Sequence, residues 1–250
     1  MRIEELLNEQ IDEAVPDWAK KGALAVGGAA ALATGAHMLS REPEGKPVTS
    51  FEIPQDSSEQ HKKAHQQKAD PEVVNQMMGL LKTPVGVAIT SAARSAGMKG
   101  RELAQFLAQC AHETSNFSSL KELGGRLDFK KYDIRFHPGK AKLLGNVKPG
   151  DGARYAGRGF IQLTGRDNYK RAGEALGLPL EQHPELVERP DVAAKVAIWY
   201  WQHRVHPKIH DYNDTRAVTK PINSGLDKLQ DRHEKYKAVA QILGVLNWPK

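Results

Sequence analysis

Apolar positions recur at helical spacing through most of the chain beyond residue 70. In EVVNQMMGLLK, 72–82, they fall at Val73, Val74, Met77, Met78, Leu80 and Leu81, which predicts an amphipathic helix. TPVGVAITSAARSAG, 83–97, opens with Thr83 as a cap and Pro84 at the first helical position, and closes at Gly97, the usual punctuation of a helix. RELAQFLAQCAHETS, 101–115, sets Leu103, Phe106, Leu107, Cys110 and Ala111 on one face. PDVAAKVAIWYWQHRV (190–205), TRAVTKPIN (215–223) and LDKLQDRHEKYKAVAQILG (226–244) add three more helices. Period-two alternation is scarce, and its best case is RYAGRGFIQLTG, 154–165. The expectation is a mainly α domain over residues 72–250 with a minimal β-hairpin region. No internal repeat is visible.

The texture before residue 72 differs. MRIEELLNEQIDEAV, 1–15, reads as a short amphipathic helix with an acidic face. Residues 22–39, GALAVGGAAALATGAHML, hold no Asp, Glu, Lys or Arg, and Lys20, Lys21 and Arg41 flank them. As a helix this stretch would span about 27 Å, against a hydrocarbon core of about 30 Å. Three readings stay open for residues 22–39 of the 1–40 segment: a weak membrane span or signal-anchor, a cleavable export signal, and an Ala/Gly tail. The acidic residues ahead of Lys20 count against the second. Residues 41–71 are polar and Pro-containing, a linker with little to bury.

Charge divides the chain the same way. Residues 1–71 hold 8 Lys+Arg against 12 Asp+Glu, and residues 72–250 hold 28 against 18, so the C-terminal part carries +10. A basic domain suits a polyanionic partner: nucleic acid, an anionic membrane or a cell-wall polymer. The single cysteine, Cys110, excludes an internal disulfide and a Cys-based zinc site. Its apolar context makes it a core residue rather than a nucleophile.

The candidate chemistry begins at AQCAHETSNF, 108–117. His112-Glu113 resembles the start of a zinc-binding HExxH, but position 116 is Asn, so the two-histidine face is missing. His61 and His65 lack a third ligand nearby, and no metal site is expected. Glu122 follows Glu113 by nine residues; on one continuous helix that turns about 900° and sets the two on opposite faces. SNFSS is a plausible break that could swing Glu122 across a cleft from Glu113. Glycosidic hydrolysis needs such a pair, one carboxyl as acid and the other activating water. Glu113, following an apolar face, suits the acid, since desolvation holds a proton. Glu122, beside Lys121 and two glycines, suits an exposed base. Asp128 and Asp133 rank below it. In YAGRGFIQLTGRDNY, 155–169, glycines 157 and 159 flank Arg158, and alternation sets Ile161 and Leu163 opposite Gln162 and Thr164. The amide and hydroxyl could bond a sugar or hold a water, or they face solvent on a plain hairpin. Trp199, Tyr200 and Trp201 read as core, and His203, His206 and His210 as surface.

HETSNF, GRGFIQLTGRDNY and INSG together resemble the family 19 glycoside hydrolases, that is, the chitinases and related phage endolysins. The resemblance implies a lysozyme-like, two-lobed α fold and an inverting mechanism without cofactor or metal. It implies Glu113 as the general acid, Glu122 as the base and Thr164 as the hydroxyl that holds the attacking water. His112, Arg158, Gln162, Asn168, Tyr169, Asn223 and Arg232 are then expected on the substrate side. The departures are the missing disulfides, the short loops between 125 and 150, and the low aromatic content. These favour a compact peptidoglycan lysin over a crystalline-chitin enzyme. The partner expected is peptidoglycan rather than nucleic acid, acted on by a monomer. Residues 22–39 would associate transiently with the inner membrane and release the protein from the host cytoplasm to the periplasm, or the N-terminus would direct it into a phage virion. A chitinase, and a non-catalytic virion or sugar-binding protein, are the alternatives.

Overall fold

The computed structural model describes residues 68–124 and 128–245. The expectations for residues 1–40, including membrane association through 22–39, and for most of the 41–71 linker lie outside them. No helix among the described residues is long and apolar enough to cross a membrane.

Nine α-helices occur in the described residues: α1 (Pro71–Leu81), α2 (Pro84–Ser95), α3 (Gly100–Glu113), α4 (Pro138–Leu143), α5 (Asp151–Arg154), α6 (Arg166–Leu176), α7 (Pro190–Tyr200), α8 (Thr215–Thr219) and α9 (Leu229–Ile242). The second begins as the sequence predicts, and the first begins one residue before the expected pattern, at Pro71 behind an Asp70 cap. The Asp70 side chain accepts from the Glu72 amide at 2.8 Å, and the Thr83 hydroxyl from the Gly86 amide at 3.1 Å, each satisfying an otherwise orphaned donor of the first turn.

Helix α3 is the axis of the fold and packs most extensively against α9, which also covers α1. The single apolar face expected for α3 understates its burial, because every residue from Leu103 to Ala111 is buried. Its polar positions, Gln105 and Gln109, face α8. The Gln105 amide donates to Thr215 Oγ1 at 3.0 Å and the Gln109 amide to Thr219 Oγ1 at 3.0 Å. Residues spaced i,i+4 on one helix thus meet residues spaced i,i+4 on another, which lets a buried helix keep polar side chains. Trp201, wholly buried, meets Phe106 edge-on at 5.2 Å and 84°. Trp199 and Tyr200 are half-buried against the same core. The α7 pattern expected to run to 205 ends its regular turns at Tyr200 and continues as a π turn, Trp201–Val205.

The remainder is a second, loop-rich lobe of short elements. A 3₁₀ turn at Asp128–Tyr132 packs against α4 and α5. Helix α6 has no counterpart among the predicted elements: it buries only Tyr169, Ala172 and Gly173 along a mainly polar sequence, too narrow a stripe to show as periodicity. The strand expected in 154–165 is reduced to isolated bridges, Lys121 with Arg158 and Arg158 with Leu163. Between the last pair the chain makes a four-residue loop in which Gly159 (φ 75°) and Gln162 (φ 50°) are left-handed. Ile161 and Leu163 are buried and Gln162 and Thr164 half-buried, so the alternation was real but belongs to a tight turn.

Candidate active site

Glu113 is the last residue of α3, so the helix ends where the site begins. The next residues do more than break it. Ser115, Asn116 and Phe117 all take left-handed conformations, φ 48°, 64° and 58°. Each costs a side-chain-bearing residue on the order of 1–2 kcal/mol, so the turn must be held. Thr114 holds it from inside: its hydroxyl donates to Cys110 O at 2.6 Å and accepts from the Phe117 amide at 3.1 Å. Phe117 then packs edge-on against Phe160 of the hairpin loop at 5.9 Å and 85°. The break expected at SNFSS is therefore a tied left-handed turn, and it delivers residues 120–122 to the hairpin. There the Gly159 amide donates to Leu120 O at 2.8 Å and the Glu122 amide to Gly157 O at 2.8 Å.

The two glutamates have different surroundings. Arg232, 1% exposed, reaches from α9 and donates to Glu113 Oε1 at 2.6 Å, to Gln109 Oε1 at 2.6 Å and to Asp227 O at 3.1 Å. Among the described residues no protein donor reaches Glu113 Oε2. The purely apolar setting expected for Glu113 is thus half right: buried Cys110 and Ala111 precede it, but a guanidinium grips one oxygen. Burial pushes the Cys110 thiol well up, and the Glu113 charge adds to that, consistent with a core residue. His112 Nδ1 lies 2.5 Å from Asp231 Oδ2, and Lys235 Nζ holds the other oxygen of Asp231 at 2.6 Å. Burial and then the charge of Arg232 lower the His112 pKa, outweighing Asp231.

Glu122 belongs to the loop-rich lobe. Lys131 Nζ donates to Oε1 at 3.0 Å, the Tyr132 hydroxyl to the same oxygen at 3.2 Å, and the Gly157 amide to Oε2 at 2.9 Å. The cation beside it is Lys131, whereas Lys121, expected there, lies 3.4 Å from Glu188. A Cβ on Gly157 would sit 2.7 Å from Gln162 Oε1 and 3.0 Å from Glu122 Oε2, so glycine is what lets both side chains close on the backbone here. Thr164 Oγ1 donates to Gln162 O at 2.9 Å, and the Asn168 amide donates to Thr164 O at 2.7 Å.

Three residues expected on the substrate side turn inward. Arg158 is buried and donates to Glu188, to the carbonyls of Arg154 and Ala156, and to the Tyr169 hydroxyl. Tyr169 is wholly buried, its hydroxyl on Ala156 O at 2.8 Å, and burial raises its pKa well above the phenol range. Arg232 is the buried clamp on Glu113. These side chains support the loops rather than face a ligand. Asn223 is half-buried, bonded to Gly225 and Asp227. Asp133, considered as a cleft carboxylate, is buried and bonded to Arg135 and the Gly150 amide, which hold its carboxyl far below the usual range. It pins a loop.

Sequence reasoning missed Gln109, Asp231, Lys131 and Tyr132. The first two were within reach: Gln109 lies four residues before Glu113 on the same helical face, and Asp231 adjoins Arg232. Nothing in the sequence links Lys131 and Tyr132 to Glu122.

Residues 82–247 match the family 19 glycoside hydrolase model, described as chitinase class I. A glycosyl hydrolase family 19 domain-containing protein of Haemophilus influenzae is 33% identical over 175 residues, covering 61% of this chain and 86% of that one. An endochitinase of Arabidopsis thaliana is 36% identical over 143 residues, covering 55% of this chain and 46% of its own length, so the chain spans less than half of that plant relative. The crystal structure of chitinase C from Streptomyces griseus superposes with a TM-score of 0.52 at 29% identity, covering 73% of this chain and 95% of that one.

Proposed function

The chain belongs to the family 19 glycoside hydrolases, and on that premise we propose that it cleaves β-1,4 bonds of bacterial peptidoglycan by single displacement with inversion. The observation that carries the role assignment is the contrast between the two glutamates. Glu113 has one oxygen clamped by Arg232 and, among the described residues, no protein donor on the other, which leaves Oε2 open to the glycosidic oxygen it would protonate. Glu122 has three donors converging on its two oxygens, which makes it a fixed acceptor for a proton from water. Thr164 Oγ1 has its own proton directed to Gln162 O, and its lone pairs are left to orient that water. The water oxygen bonds to the anomeric carbon, its proton passes to Glu122, and the leaving oxygen takes the proton of Glu113. Inverting sites hold their carboxyls roughly 6.5–9.5 Å apart to admit the water.

Two observations favour peptidoglycan over chitin. Residues 72–250 carry +10, which raises the encounter rate with an anionic wall but not with a neutral polymer. Large exposed aromatic side chains are few, Phe136 being the one exposed aromatic among the large exposed hydrophobics of the described residues, so there is little platform for stacking on a crystalline polysaccharide. The chitin reading rests on the endochitinase relatives.

Glu113→Gln tests the assignment, because glutamine still offers Oε1 to Arg232. The expected result is a loss of new reducing ends from purified sacculi by about 10²–10⁴-fold, the usual contribution of a general acid, with the thermal midpoint kept. Undiminished cleavage by the variant would sink the role of Glu113. Mass spectrometry of the wild-type digest reads the bond cut. Soluble chitooligosaccharides released from chitin, with sacculi left intact, would reverse the choice of substrate.

A further inference from the structure

The segment just past Glu122 carries more charge and more exposed apolar surface than the reaction uses. Residues 128–148 hold six Lys or Arg against two Asp, and one of those two, Asp133, is buried and neutralised by Arg135. The cations are arranged on aromatic rings. Lys131 and Lys140 lie over Tyr132 at 4.8 and 4.9 Å, and Lys130 and Arg135 over Phe136 at 4.9 and 5.3 Å. Phe136 is 47% exposed, and Leu143 at the end of α4 and Val147 beyond it are exposed as well. A hollow of about 440 Å³ opens between Lys130, Arg135, Phe136 and Gly150. Cations fixed on rings lose less side-chain freedom when they bind. Exposed apolar surface rimmed by like charge is what a binding face carries.

The cluster is also joined to the site. Tyr132 and Lys131 bond Glu122 directly, and Tyr132 carries Lys140. A sugar held against Glu122 would thus present its ring substituents to these cations.

We propose that this cationic aromatic loop docks the carboxylate-bearing peptide that branches from the glycan strand, and that it selects peptidoglycan over neutral polysaccharides. The proposal rests on the reading of peptidoglycan as substrate. Lys130 and Lys140 meet the free carboxylates of the branch, while Phe136 and the hollow beside it take its small apolar side chains. Sugar contacts are shared with chitin, and the branch is the part that chitin lacks.

The test is the double variant Lys130→Gln/Lys140→Gln, assayed on sacculi, on sacculi whose carboxylates have been amidated, and on a soluble chitooligosaccharide. Exposed charge pairs contribute modestly, about threefold per ammonium, so KM on native sacculi should rise about tenfold. Turnover at saturation and cleavage of the neutral oligosaccharide should stay as in wild type. Amidation should raise the wild-type KM by a similar factor and leave the double variant unaffected, because the two changes remove the same interaction. An unchanged KM for the variant, or factors that simply multiply, overturns the docking role while leaving the substrate reading intact. If wild type cuts the oligosaccharide and no sacculi, both fall together. Equal thermal midpoints for variant and wild type keep a folding defect from imitating the result.

Discussion

Gly157→Ala separates stability from catalysis at one atom. The backbone at Gly157 is not left-handed, so alanine fits its conformation. The new Cβ would lie 2.7 Å from Gln162 Oε1 and 3.0 Å from Glu122 Oε2, where ordinary contact begins at 3.4 Å. Gln162 must therefore retreat by about 0.7 Å and Glu122 by about 0.4 Å to restore ordinary van der Waals contact. Both displaced atoms are ends of flexible side chains, so the fold loses little. Alanine also reduces the freedom of the unfolded chain, worth about 0.4–1 kcal/mol in the opposite direction. Stability should stay within about 1 kcal/mol of wild type, a shift of about 2–4 °C for a domain of this size. Catalysis should suffer far more, since a misplacement of about 1 Å in a reacting group costs about 10²-fold, and these shifts are about half that or more. The expectation is a 10- to 100-fold loss of kcat. Initial rates of reducing-end release from sacculi, read beside a thermal scan of the same sample, give both quantities. Wild-type kcat in a folded Gly157→Ala protein would refute the placement of Glu122 as base, because that placement requires its position to matter on this scale.

Gly86→Ala is the opposite case: its Cβ would meet Leu80 O at 2.1 Å and Leu81 Cα at 2.8 Å, backbone that cannot step aside, so a loss on the order of 3 kcal/mol in urea unfolding is expected with kcat per folded molecule unchanged. Arg232→Gln removes the clamp on Glu113 and leaves Gln109 facing an amide. Because Glu113 is partly exposed, the cost should fall near the low end of the ~3–5 kcal/mol for breaking a buried pair, and Arg232→Lys should recover part of both stability and rate in unfolding and rate assays. His112, whose folded pKa is lowered, adds stability that is full above its ordinary value near 6.5 and is lost as pH falls through the lowered value. Asp231, also lowered, adds a loss at still lower pH. Thermal scans of wild type and His112→Gln should therefore diverge most above pH 7 and converge on acidification; a constant gap from pH 7 to pH 4 would show that protonation of His112 is not coupled to folding.

The helical body was legible because its residues answer to one local rule. Thr83, Pro84 and Pro190 mark helix starts, and the apolar spacing of α1, α2, α3 and α9 follows from the faces they bury. The loop-rich lobe obeys no such rule. Helix α6 forms because Tyr169 and Ala172 have a core to meet, and no window of its own sequence announces that core. The alternation at 161–164 resembles a strand because a tight turn can bury alternate residues too. At the site, the glutamates could be named from the sequence, but their surroundings could not. Arg232 lies 119 residues from Glu113 and Lys131 nine from Glu122, and neither is marked by periodicity.

What joins the two halves is the turn at Ser115–Phe117. A helix continued through Glu122 would hold the two glutamates on opposite faces of one rod. Three left-handed residues reverse the twist instead, and their strain is offset by the Thr114 hydroxyl and by Phe117 on Phe160. The same contact anchors the turn to the hairpin whose Gly157 amide holds Glu122. The eight residues between the glutamates thus act as a strap of fixed shape rather than a flexible loop. It follows that Phe117→Ala should loosen the Glu122 side of the site while leaving the Arg232 clamp on Glu113 in place. Its kcat should fall, yet Arg232→Lys should cost the same stability in the Phe117→Ala background as in wild type, because the Phe117–Phe160 contact and the Arg232 clamp share no residue. Strong coupling between these two changes would mean that the halves of the site are not built independently, and the strap would then be part of the helical body.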